Sequence, residues 1–216
     1  MKKNELVRDY RFTDAVLYIK SKALIGNIQR DQAAFQDFGI TSEVLEAFSN
    51  SINTFSDMPS DEEGLGSQMT ATQQKDAAGE MLKLSIKNVM GRVQLKFGIR
   101  SARYKHFGTT KLSTQTDAEL LITAKRVVIA GHYFMNELVP YGLTEALLAQ
   151  LTDLSTEFEN LIVQQRMKVG EREIMTEDRI LIGNALYKTL SDFANIGTTI
   201  WASVSEAKYN DYLIYS

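Results

Sequence analysis

A chain of 216 residues with 44% hydrophobic and 24% charged residues can bury a core, which excludes low-complexity disorder and collagen. Two prolines favour long helices over a turn-dense β fold, and zero cysteines exclude a disulfide framework, a thiolate nucleophile and Cys-bound zinc. No apolar run reaches the ~18 residues of a membrane span, and Met1-Lys2-Lys3 leads into Asn4, Glu5, Arg8 and Asp9 rather than an apolar signal core. With a net charge of -3, the expectation is a soluble, cytoplasmic, all-α protein.

The predicted elements follow the chain. A helix is expected over 12–37, with Val16, Ile19, Ala23 and Leu24 spaced for one buried face. Gly39 ends it, Thr41 caps a second helix over 42–57, and Ile40 with Leu45 has the spacing of a hydrophobic staple. Residues 58–66 read as a loop because they hold one proline, two glycines and three acids. A third helix runs from a capping box at Thr70 and Gln73 to about Tyr104. After a joint at 108–114, helices are expected over 116–139 and 145–169. Gly170 marks a break, and Thr176 caps a last helix that reaches about Tyr212.

The second series repeats the first. Thr13-Asp14-Ala15 and Leu17, Ile19 and Lys22 recur 103 residues later as Thr116-Asp117-Ala118, Leu120, Ile122 and Lys125; Gly39, Thr41, Leu45 and Phe55 recur as Gly142, Thr144, Leu148 and Phe158. That makes 10 identities in the 46 positions from 13 to 58, against roughly three at background frequency. After a two-residue slip, Ala102-Arg103-Tyr104 faces Ala207-Lys208-Tyr209. The expected fold is therefore an internally duplicated helical bundle of two three-helix repeats, 12–107 and 116–212, either separate or merged.

Chemical motifs are absent. His106 and His132 lack the partner spacings of helical metal sites, Gly64-x-Gly66 follows no strand, and no phosphate loop or nucleophile elbow occurs. Acid pairs such as Glu157 with Glu159 point to different sides of a helix. No catalytic residue, cofactor or metal ligand is assigned, and the chain reads as a non-enzyme.

Two features carry the functional expectation. Residues 71–111 hold nine Lys or Arg against Asp76 and Glu80, and Arg92, Lys96, Arg100 and Arg103 fall within about 80° on one continuous helix. At an offset of 105 their counterparts are Gly197, Trp201, Ser205 and Lys208. At the other end, Tyr209, Tyr212 and Tyr215 form an aromatic stripe if the last helix continues. The first reading is a helical scaffold or adaptor that binds a protein partner or itself through such surfaces. The alternatives are polyanion or nucleic-acid binding through the basic stripe, which the overall charge opposes, and a small apolar ligand held between glycine-lined helices.

Overall fold

The computed structural model describes residues 6–215, which are about 80% helical and contain no strand. Among them, in order, are α1 (Asp14–Arg30), α2 (Gln32–Gln36), α3 (Ser42–Ser56), α4 (Asp61–Phe97), α5 (Ala102–His106), α6 (Asp117–Tyr133), α7 (Met135–Leu138), α8 (Glu145–Trp201) and α9 (Glu206–Asp211). No helix of the described residues is long and apolar enough to cross a membrane.

Several expected boundaries move. The 12–37 helix breaks at Asp31, and its buried residues are Leu17, Ser21, Leu24 and Ile28, whereas Val16 and Ile19 face outward. Apolar residues occupy 16 to 19 without interruption, so periodicity alone did not choose the face. The expected 58–66 loop shrinks, and α4 starts at Asp61: three acids in its first turn suit the helix dipole. The 70–104 helix stops at Phe97, where Gly98 takes φ +73 and Ser101 then caps α5. Gly170 and Thr176 make no break at all; both lie inside the 57-residue α8.

The two inter-helix corners form alike. Gly39 (φ +77) and Gly142 (φ +83) are both left-handed, and the next amide reaches back five residues in each, Ile40 to Phe35 and Leu143 to Leu138. These are the bonds of a Schellman ending. Ile40 with Leu45, and Leu143 with Leu148, are buried as the staples require.

The chain divides into two compact units. One holds residues 6–61 and 173–215, and the other Glu62–Arg172. In the first, α1, α2 and α3 surround a core with the later part of α8 and with α9, built on Leu17, Ile28, Phe35, Phe48, Phe55, Leu186 and Leu190. Phe48 stacks edge-on against Phe193 at 5.2 Å, and a Cβ added at Gly183 would stand 3.1 Å from Phe55, so α3 runs antiparallel to α8 there. In the second unit, α6, α7 and the first part of α8 share a core with α4, built on Leu82, Ile86, Val93, Leu120, Val127, Leu148 and Phe158.

Each unit therefore takes its third long helix from the other half of the sequence. The expected division into 12–107 and 116–212 follows chain order, whereas the compact units combine α1–α3 with the end of α8, and α6 to early α8 with α4. Matching contacts recur across that exchange. Asp14 pairs with Arg179 and Asp117 with Lys75, each at 2.7 Å. Phe55 lies against Gly183 and Phe158 against Gly79, where an added Cβ would come within 3.0 Å. The buried positions Leu82, Ile86, Val89 and Met90 of α4 recur 104 residues later as Leu186, Leu190, Phe193 and Ala194. Ser101 and Ser205, which cap α5 and α9, stand at the same offset.

Candidate functional site

The four basic residues do not form one stripe. Because α4 ends at Phe97, Arg92 and Lys96 stand on α4, Arg100 on the following turn and Arg103 on α5. Three of them grip the corner after α7. The Arg92 Nε donates to the Gly142 carbonyl at 2.8 Å, and its guanidinium also bonds Asn88. The Lys96 ammonium lies 5.4 Å from the Tyr141 ring centre. Arg103 pairs with Glu137 and lies over Phe97 and Phe134, at 5.2 and 5.9 Å. Arg100 is exposed and has no ion-pair partner among the described residues. At the offset of 104 set by burial, Arg92 and Lys96 correspond to Ile196 and Ile200 rather than to Gly197 and Trp201.

Two of the three tail tyrosines bond within their own unit. Since α9 ends at Asp211, Tyr209 is half-buried on the helix, Tyr212 is buried just past it and Tyr215 is exposed beyond. Tyr212 donates its hydroxyl to Asp31 at 2.9 Å, and the Tyr215 hydroxyl lies 2.6 Å from that of Tyr187. Gly197 leaves room for the Tyr212 ring, which a Cβ at that position would strike.

Asp31 is the centre of this arrangement. Its side chain is fully buried where α1 breaks into α2, and it accepts from Arg30 at 2.8 Å, Lys208 at 2.6 Å and Tyr212. Burial pushes its carboxyl upward, but the three donors outweigh that and hold it at about 2. Burial, reinforced by the bond to Asp31, raises Tyr212 well above the ordinary phenol. Lys208 also sits 3.9 Å from the Trp201 ring centre, and Arg30 bridges to Asp211 at 2.7 Å. Every acceptor position is answered by a donor, so this is a clasp that fixes α9 and not a reactive carboxylate.

The sequence reading missed the outer face of α4. Opposite its core residues, Met81, Leu84, Asn88, Gly91 and Leu95 alternate by three and four residues, with Met81 55%, Leu84 63% and Leu95 73% exposed. The same face of α8, 104 residues on, carries Ala185, Lys188, Asp192, Asn195 and Thr199, with Lys188 and Asp192 paired at 2.7 Å. The heptad spacing was visible in the sequence. It was masked because α4 is apolar on two opposite faces, which blurs any single helical period.

Two hollows lie in the second unit. One of about 470 Å³ is lined by Thr110, Lys111, Gln115, Thr123 and Arg126, and one of about 500 Å³ by Ser67, Thr70, Ala71, Met167 and Lys168. No group of three His, Asp or Glu residues able to hold a metal occurs among the described residues. Compared with protein-family models, curated proteins and solved structures, the chain matches none.

Proposed function

We propose that the protein is a non-catalytic helical scaffold that acts by binding protein, itself included, and that it arose by duplication of a three-helix repeat whose third helices are exchanged. The duplication reading rests on the equal lengths of α1 and α6, which begin and end 103 residues apart, and on the paired corners and reciprocal contacts. The observation that carries the functional reading is the contrast between the outer faces of the two third helices. A three-helix unit needs one apolar face on each helix, and α8 shows over positions 185 to 199, beyond the exposed Leu181, that the opposite face can be polar. The apolar outer face of α4 is therefore surplus to folding, and exposed apolar patches of this kind mark interaction surfaces.

The polyanion reading is weaker on this geometry, because Arg92, Lys96 and Arg103 already hold the corner around Glu137, Tyr141 and Gly142. Sedimentation equilibrium from low to high micromolar concentration, together with heparin chromatography at low salt, separates the readings. The scaffold reading predicts concentration-dependent self-association without heparin retention. A clean monomer throughout removes self-association, and retention lost on replacing Arg92, Lys96 and Arg100 with glutamine favours the polyanion reading.

A further inference from the structure

The outer face of α4 has the arithmetic of a two-fold seam. Positions 74, 77, 81, 84, 88, 91 and 95 follow the alternating three-and-four spacing of a coiled-coil core, and all seven are exposed. They carry Gln74, Ala77, Met81, Leu84, Asn88, Gly91 and Leu95, flanked by Gln73, Glu80, Lys87 and Gln94 on one side and Ser85 and Arg92 on the other.

We propose that this face pairs antiparallel with the same face of a second copy of the chain, Met81 against Leu84 of the second copy and Leu84 against its Met81. In that register Ala77 meets Asn88 and Gln74 meets Gly91, so the small residues accommodate the larger ones. The flanks choose the register. Glu80 falls opposite Lys87 of the second copy and Gln73 opposite its Gln94, and the two-fold axis makes each pair twice. A parallel pairing brings Lys87 beside Arg92, and an antiparallel pairing slid by one heptad brings Lys87 against Lys87; both are repulsive. Glu80 bonds the half-buried Lys83 at 2.8 Å within the chain, and being itself exposed it can turn to Lys87 of the second copy.

This rests on the self-association reading, and names its surface. The test uses the full chain in sedimentation velocity. Met81→Ala with Leu84→Lys installs the residues that α8 carries at the matching positions, and is expected to weaken the dimer by roughly tenfold or more with no loss of thermal stability. Glu80→Lys alone weakens it several-fold, and Glu80→Lys with Lys87→Glu restores it. Because the chain has no cysteine, mixing Gln73→Cys protein with Gln94→Cys protein gives an interchain disulfide that neither forms alone. A dimer indifferent to Met81→Ala with Leu84→Lys overturns this seam and leaves self-association standing. A monomer at every concentration overturns both. Loss of the dimer without rescue by the charge exchange, and without the mixed disulfide, overturns the antiparallel register.

Discussion

The bend after α1 and the bend after α6 sit 103 residues apart and solve one problem in two ways. At the first, Asp31 is buried and gathers Arg30, Lys208 and Tyr212. At the second, the counterpart is Phe134, which packs on Phe107 at 5.9 Å and Phe97 at 5.4 Å, with the His106 ring edge-on at 5.8 Å. Both bends receive the residue that directly follows a short helix, Tyr212 after α9 in one and Phe107 after α5 in the other. One hydroxyl separates those two residues, and with it goes the buried carboxylate. A polar clasp is therefore not demanded by the bend itself. It is one of two ways to lock a short helix, and the polar way has sharper sequence requirements because each donor and acceptor must be answered.

The largest effect is expected at the clasp. Asp31→Ala removes the acceptor shared by Arg30, Lys208 and Tyr212; Arg30 keeps Asp211 and Lys208 keeps the Trp201 ring, but the buried Tyr212 hydroxyl is left without its partner, and urea unfolding should show a loss of about 3 kcal/mol. A loss within the range of ordinary surface substitutions would mean that the clasp is incidental.

The same residue sets a pH signature that the Phe134 bend lacks. Its carboxyl stands at about 2, below its ordinary 3.8, so its stabilisation is complete above the ordinary value and fades as pH falls through about 2. Measured as the gap in unfolding free energy between unmodified protein and Asp31→Asn, it should be flat from pH 6 to 5 and narrow by about 2 kcal/mol on approach to pH 2. A gap that does not change over that range would contradict the buried charge.

Glycines sharpen the comparison further. A Cβ at Gly79 would stand 3.0 Å from the Phe158 ring, while Gly91, twelve residues on in the same helix, faces nothing within 4 Å. Thermal unfolding should show Gly79→Ala gaining nothing or losing stability, because crowding against the ring offsets the ~1 kcal/mol of helix propensity. Gly91→Ala should gain about 1 kcal/mol from helix propensity alone. Equal gains at the two sites would contradict the close approach between α4 and α8. The smallest effect belongs to the outer face of α8, where Lys188→Leu should move stability by less than about 0.5 kcal/mol, because the pair it breaks is exposed.

Much of this was legible in sequence, and the exceptions have physical causes. Gly39, Gly142 and Thr144 marked the corners correctly because a left-handed glycine before a helix start is a local requirement and Thr144 accepts the Leu147 amide, whereas Thr41 stands at the start of α3 without making the expected side-chain capping bond. Thr116 and Glu119 form the capping box of α6, a Thr-x-x-Glu spacing that is equally local but that the sequence reading did not name. Gly170 misled because an isolated glycine costs only ~1 kcal/mol in a helix, too little to break one held along its length by partners. The clasp stayed hidden since Asp31 and Tyr212 are far apart in sequence, and no spacing rule joins them. The exchange of helices between the two halves of the chain was equally invisible, because nothing local states which long helix packs on which pair.

That exchange is tested most directly by cutting the chain between its halves. A protease site inserted after Thr110, in the stretch between α5 and α6, allows the folded protein to be cleaved and its mass measured under native conditions. Because each core draws helices from both halves, the two fragments should stay together at the mass of the intact chain and separate only in denaturant. Two folded, half-sized species that part without denaturant would contradict the account.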